Sequence, residues 1–223
     1  MTAVLVSFSY YGTDQELKSS EEDIRIASDF FLKRGFEIHV VTDNSGNSYK
    51  DIILDKTKNL FLYYSGHSSK NKFIFPSKEV SISKFYRHFS SQLHESSKII
   101  SVFDCCECSF NLAFSLRNGT YHLSGTPVYL AQKAIHFNSC EYGESLSSSE
   151  SYFTEKFFSI LSSGCSNLNV FHAELYTAVV SRSYKSERII QTPSVTTSRR
   201  LEKIIWPWMF GLSDEDARVL NYI

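Results

Sequence analysis

Residues 98–110 read KIISVFDCCECSF. Apolar and small side chains run from Ile99 to Phe103 straight into Asp104 and the cysteines Cys105, Cys106 and Cys108. A short apolar run bounded by polar residues is the pattern of a strand buried on both faces, as in a parallel sheet. Packing such a strand does not require that it end on an aspartate and a cluster of thiols. The ending fits a metal clip, a redox site or a nucleophile held at the end of a buried strand.

Working outward, the same pattern recurs at AVLVSF (3–8), EIHVVTD (37–43) and NLFLYY (59–64), the last running on through Ser65 and Gly66 to His67. Between the first two, Ile24, Ile26, Ala27, Phe30 and Phe31 recur at helical spacing, and Gly35 follows where a helix stops. The polar stretch before Asn59 has room for a short helix. A second helix is expected over 80–93, with Ile82, Phe85, Tyr86, Phe89 and Leu93 on one stripe. Strands alternating with helices, the strands apolar throughout, predict an α/β fold with a mostly parallel central sheet flanked by helices on both faces. Further along, 105–127 reads as a long loop, KAIHF (133–137) as a fifth strand, and 138–151 as a second loop with a serine-rich tract. Helices are expected over 152–161 and 169–184, and RLEKIIWPWMF (200–210) as a last strand. No internal repeat interrupts this order, and a single domain over 1–223 is expected.

Composition narrows the class. The 223 residues are 42% hydrophobic and 21% charged with a formal net charge of -1, the balance of an ordinary globular domain with one sizeable core. Basic residues form no dense block, so neither nucleic acid nor a membrane is an expected partner. The opening MTAVLVSFSYYGTD has no basic flank or long apolar core, and no apolar run approaches the ~20 residues of a membrane span. Five cysteines, an odd number, do not suggest a disulfide framework, so a reducing, cytoplasmic setting is expected.

Ligands of open parallel sheets bind outside the carboxyl ends of the strands. Two strands here end in reactive residues, one at His67 and one at Asp104, Cys105 and Cys106. Neighbouring strands lie ~4.8 Å apart, which brings an imidazole within reach of a thiol. Such a pair is a cysteine nucleophile with a histidine base. Each part alone also has a plainer reading. An SGH tripeptide fits a surface or capping histidine, and buried cysteines such as Cys105 or Cys108 pack as small hydrophobes. Zinc wants four ligands, and Cys140 and Cys165 stand alone rather than as a second pair.

The residues YYSGHSS (63–69) and VFDCCECSF (102–110) resemble the YSGHG and DSCHSG motifs of the metacaspases, caspase-like cysteine peptidases, particularly their single-domain form. The resemblance runs along most of the chain: residues 4–43 are similar to the family's opening, and FNSCEYGES (137–145), SYFTEKFFSIL (151–161) and QTPSVTTS (191–198) to later elements in the same order. It implies a caspase-like fold, with His67 as base and Cys106 as nucleophile. It also implies an oxyanion hole from the N–H groups of Cys106 and of Gly66 or its neighbour; separately, the residues themselves lead us to expect no cofactor or metal. An acidic first pocket is implied as well, built from Asp104 and Asp23 with Ser65 beside them and Ser20 where the family has cysteine. Two carboxylates in a partly dry pocket suit a guanidinium, so peptide or protein substrates with Arg or Lys are expected. Read alone, Asp23 is equally an ordinary solvated helix residue. Self-cleavage is implied at exposed basic residues, with Arg117 in SLRNGTYHLSG as the first candidate beside its plain reading as an exposed arginine. The family resemblance also implies a monomer.

Three departures stand out. Ser68 replaces the glycine after the histidine, and Glu107 puts a negative charge beside the nucleophile, which is expected to raise its pKa. No Asp occurs between Asp55 and Asp104, where the family carries aspartates for calcium, so calcium-independent activity is expected. The same departures support an alternative: a catalytically impaired homologue acting as a binding or regulatory module.

Overall fold

A computed structural model describes residues 1–106, 110–117, 120–140, 152–165, 167–185 and 191–199. In chain order the elements are β1 (Thr2–Ser7), α1 (Ser19–Leu32), β2 (Glu37–Val41), a single 3-10 turn at Tyr49–Asp51, β3 (Leu60–Ser65), β4 (Ser68–Ser69), β5 (Lys72–Phe75), β6 (Lys78–Ser81), α2 (Ile82–Ser90), β7 (Lys98–Asp104), β8 (Phe114–Arg117), β9 (Thr120–Leu123), β10 (Lys133–Asn138), α3 (Tyr152–Ser162), α4 (Leu168–Lys185) and β11 (Ser194–Thr197).

Eight strands form the central sheet in the order β2-β1-β3-β7-β10-β11-β8-β9. The first five are parallel, and β11, β8 and β9 are antiparallel to their neighbours. The central strands β1, β3 and β7 are buried almost end to end, which is why they read as continuous apolar runs. Alternate residues feed two cores. One face carries Leu62, Tyr64 and Phe103 against Phe73, Phe85 and Phe89, brought by β5 and α2. The other carries Phe61, Tyr63, Val102 and Phe137 against Phe31, Phe157, Phe158 and Phe171, brought by α1, α3 and α4.

Helix α1 stops as its sequence requires. Gly35 takes φ +71, Phe36 N–H reaches back to Phe31 C=O at 3.2 Å and Gly35 N–H to Leu32 C=O at 3.1 Å, the paired bonds that satisfy a helix's last carbonyls. The chain turns there and enters β2 beside β1.

Two expectations need correction. The helix expected over 80–93 is confined to Ile82–Ser90, because Lys78–Ser81 pairs instead with β5 in a three-stranded side sheet, β4-β5-β6. That side sheet was not anticipated, although Lys70 and Asn71 at its first turn both take positive φ, as a two-residue hairpin turn requires. The loop expected over 105–127 contains the β8–β9 hairpin. The expected last strand at 200–210 lies outside the described residues, of which Ser194–Thr197 forms β11.

Candidate active site

The dyad candidates are set by strand register. Strands β3 and β7 are parallel neighbours with Ser65 opposite Asp104, so His67 and Cys106 each lie two residues past a paired position. Gly66 N–H continues the ladder by donating to Asp104 C=O at 3.3 Å. Two loops leaving adjacent strands at the same height put both residues at the carboxyl edge, where such sheets bind ligands.

The main chain of His67 is clamped at both ends. Its N–H donates to the Tyr10 hydroxyl at 3.0 Å, and its C=O accepts from the Tyr64 hydroxyl at 2.8 Å and from Ile74 N–H at 2.9 Å. Gly66 fits because a Cβ at its position would lie 2.8 Å from the Tyr64 hydroxyl and 3.1 Å from that of Tyr10, at φ +155. The imidazole Nε2 lies 2.8 Å from the Gln15 carbonyl. A carbonyl only accepts, so Nε2 carries the proton, and in the neutral ring the lone pair is on Nδ1.

Cys106 is half-buried and its thiol is not in a disulfide. Its carbonyl accepts a hydrogen bond from the Ser68 hydroxyl. Ser68 thus ties the histidine loop to the main chain of Cys106, and its φ is not positive, so a side chain is accommodated there. Cys105 points into the apolar core, buried as expected for a small hydrophobe, its N–H donating to Ser139 Oγ at 3.0 Å. Glu107 and Cys108 lie outside the described residues.

The expected acidic pocket residues come together on the face covered by α1 and α3. Ser65 Oγ donates to Asp23 Oδ2 at 2.6 Å, and Thr154 Oγ1 donates to Asp104 Oδ2 at 2.9 Å. Ser20 is tied to β1 and the residue after it: its carbonyl accepts from Ser7 Oγ at 3.0 Å, and its own hydroxyl donates to Phe8 C=O at 2.9 Å. Asp23 is 0% and Asp104 1% exposed, so Asp23 is not a solvated helix residue. Tyr63, next to both, is held protonated well above the usual phenol range, by burial first and then by the Asp23 and Asp104 charges.

Comparison with known proteins gives the family and the fold. The family model for the Caspase domain matches residues 1–205. The chain belongs to the caspase-domain family of cysteine peptidases. No curated protein sequence matches it. Among solved structures it is similar to caspase-1 from Spodoptera frugiperda, with a TM-score of 0.65 and 12% identity over 87% of this chain and 85% of that one. At that identity the likeness speaks for the fold.

Within this caspase fold, one site expectation changes. Gly66 N–H is a rung of the ladder to Asp104, so it does not point at a bound carbonyl. The Ser68 N–H is better placed. Ser68 faces Phe73 across β4–β5, and the flanking rung at His67 and Ile74 makes this the pair whose N–H groups point outward. Arg117 is exposed but ends β8, paired with Thr120, and β10 and β11 separate it from the nucleophile strand. Three strand spacings put it about 14 Å away across the sheet. A cavity of about 580 Å³ beside it, lined by Arg117, His172, Tyr176 and Ser194, lies at that far edge, away from the dyad. Sequence reasoning missed the Gln15 carbonyl, Thr154 and Tyr10. A main-chain carbonyl leaves no trace in residue type, but Thr154 follows the phenylalanine of a matched motif, and its contact with Asp104 was open to inference from it.

Proposed function

We propose that the protein is a cysteine endopeptidase that cleaves after Arg or Lys through Cys106 and His67. The observation that carries this reading is the Ser65–Asp104 register together with the Nε2–Gln15 bond. The first brings the dyad to one edge, and the second leaves Nδ1 as the base. His67 Nδ1 takes the Cys106 proton, and the sulfur attacks the scissile carbonyl carbon. The developing oxyanion is held by Cys106 N–H and Ser68 N–H. When the C–N bond breaks, the imidazolium returns the proton to the leaving amine. Water, deprotonated by the same Nδ1, then cleaves the thioester.

Selectivity rests on Asp23 and Asp104, with Ser65 and Ser20 lining the approach. Both carboxylates are buried, so the pocket has to open as the guanidinium enters, and pairing inside it is stronger than at the surface. The chain offers no aspartate between Asp55 and Asp104, which supports activity without calcium. Self-processing at Arg117 fits attack by a second molecule, since the hairpin lies across the sheet from its own nucleophile. Closure of the sheet beyond β10 by β11, β8 and β9 supports a monomer.

The test is incubation of the protein with fluorogenic peptides ending in Arg, Lys or Asp, with and without millimolar calcium, beside Cys106→Ala. Cleavage after Arg and Lys that is absent in the variant and unchanged by calcium is expected. Cleavage after Asp, or a large calcium gain, would remove the pocket assignment or the calcium reading respectively. A folded protein inactive under all conditions would favour the binding-module reading, for which the buried carboxylates already speak. Processing is read on the same samples: chain cut after Arg117, and intact chain for Arg117→Gln, is the expected pair.

A further inference from the structure

Tyr10 holds a backbone conformation that a tyrosine takes only when its surroundings enforce it. Its φ is +53, a left-handed value unfavourable for a residue with a Cβ. Asp43, just beyond β2, supplies the restraint: Oδ2 accepts from Ser9 N–H at 2.7 Å, Ser9 Oγ at 2.6 Å and Tyr10 N–H at 2.8 Å. The Tyr10 carbonyl then accepts from Thr13 N–H at 3.1 Å and Thr13 Oγ1 at 2.7 Å, folding the turn that presents Gln15.

The side chain does something a strand neighbour ordinarily does. In a closely spaced antiparallel pair, two opposed residues exchange both N–H···O bonds. His67 and Ile74 make only one directly, from Ile74 N–H to His67 C=O at 2.9 Å. In the other half of the rung the Tyr10 hydroxyl is interposed, accepting from His67 N–H at 3.0 Å and donating to Ile74 C=O. The ring lies against the imidazole, with centroids 4.7 Å apart at 43°. Burial pushes the Tyr10 phenol up to about 12, so the hydroxyl keeps its proton at neutral pH.

We propose that Tyr10 is a positioning residue for the catalytic base: its hydroxyl wedges open the hairpin at His67 and its ring braces the imidazole, aiming Nε2 at the Gln15 carbonyl and Nδ1 at Cys106. This rests on the reading of His67 and Cys106 as a dyad. Without the hydroxyl, His67 N–H and Ile74 C=O are free to close into a direct bond, which swings the imidazole off its line. The opening MTAVLVSFSYYGTD therefore contributes to the chemistry as well as to the sheet.

The experiment follows alkylation of Cys106 by iodoacetamide against pH, read by mass spectrometry on the Cys106 peptide, in the wild-type chain, Tyr10→Phe and His67→Ala. Thiolate displaces iodide, so the midpoint reports the thiol's ionisation with no substrate needed. The wild-type midpoint is expected below that of His67→Ala. Tyr10→Phe is expected to move it toward His67→Ala, with alkylation at pH 7 and kcat both falling about tenfold and KM unchanged. A merely structural tyrosine would lower the melting temperature and leave the midpoint alone, and that result overturns the proposal. Should Tyr10→Phe not fold, Asp43→Asn, which loosens the Tyr10 clamp, is expected to move the midpoint the same way by less, and an unmoved midpoint overturns it equally. If wild type and His67→Ala coincide, the dyad itself has failed and Tyr10's role falls with it. A difference between those two with Tyr10→Phe at the wild-type value sinks the positioning role alone.

Discussion

The two loops that meet at the dyad are built differently. The histidine loop is held by side chains from elsewhere: Tyr10 on the His67 N–H, Tyr64 on its C=O, and the Gln15 carbonyl on its ring. The other loop leaves β7 with Cys105 N–H on the Ser139 hydroxyl, and a tie to the Cys106 carbonyl comes from the opposite loop, through the Ser68 hydroxyl. A general base must be aimed, because proton transfer depends on the direction of one lone pair. A thiol rotates about a single bond and needs only to arrive at the right height.

Breaking the more heavily clamped side should cost most. His67→Ala removes the base, and kcat on an Arg peptide is expected to fall at least a hundredfold, within the ~10²–10⁴ range of general base catalysis. Retention of more than a tenth of the activity would mean that the clamps hold a residue that does no chemistry.

Next in size is the pocket below both loops. Asp104→Asn keeps the shape and the Thr154 contact but halves the charge facing a guanidinium, and Asp23→Asn does the same from α1. Each is expected to lower kcat/KM for Arg peptides about 10- to 100-fold, from the ~1.5–3 kcal/mol of a charge-assisted hydrogen bond. An equal fall for peptides without a basic residue would assign these carboxylates to structure.

A smaller effect tests the nucleophile loop. Ser68→Ala removes the tie from the histidine loop's serine hydroxyl to the Cys106 carbonyl. A kcat lower by about fivefold with KM unchanged is expected from the loss of one net hydrogen bond of ~1 kcal/mol. A rise in kcat would show that the tie restrains the nucleophile instead of placing it.

The mildest break lies away from both loops. His136 is buried in β10 between Ser101 Oγ at 2.7 Å and Asn138 Oδ1 at 2.5 Å, and burial lowers its pKa to about 3. Unfolding lets it take up a proton at its ordinary value near 6.5, so this stability is present above that pH and is lost as pH falls toward 3. Between pH 7 and pH 5 about 2 kcal/mol should disappear in urea titrations, and His136→Gln should flatten that part of the profile. An unchanged profile would mean that other groups, such as His172, whose pKa burial also lowers, dominate the acid limb.

Much of this was legible along the chain. Strands buried on both faces announced themselves by apolar runs, α1 by its 3.6 period and the glycine after it, and the dyad candidates stood in motifs at two strand ends. The β8–β9 hairpin was missed although its strands flank Asn118-Gly119, a pair whose positive-φ tolerance is a hairpin signal in its own right. The side sheet was missed because its strands are two to four residues long, and β6 runs without a break into α2.

By itself the sequence determined the core strands β1, β3, β7 and β10, the long helices, and which residue types stand at the strand ends, since periodicity and motif spacing are properties of neighbours along the chain. Only the tertiary structure decided that Gly66 N–H is a ladder rung, that Asp23 is buried beside Ser65, and that Tyr10 and Gln15 hold the histidine from 57 and 52 positions away. Those are choices of partner for main-chain and buried polar groups. Every residue carries the same N–H and C=O, proline's N–H excepted, so the side-chain alphabet says little about where they will be satisfied until the fold brings distant segments together.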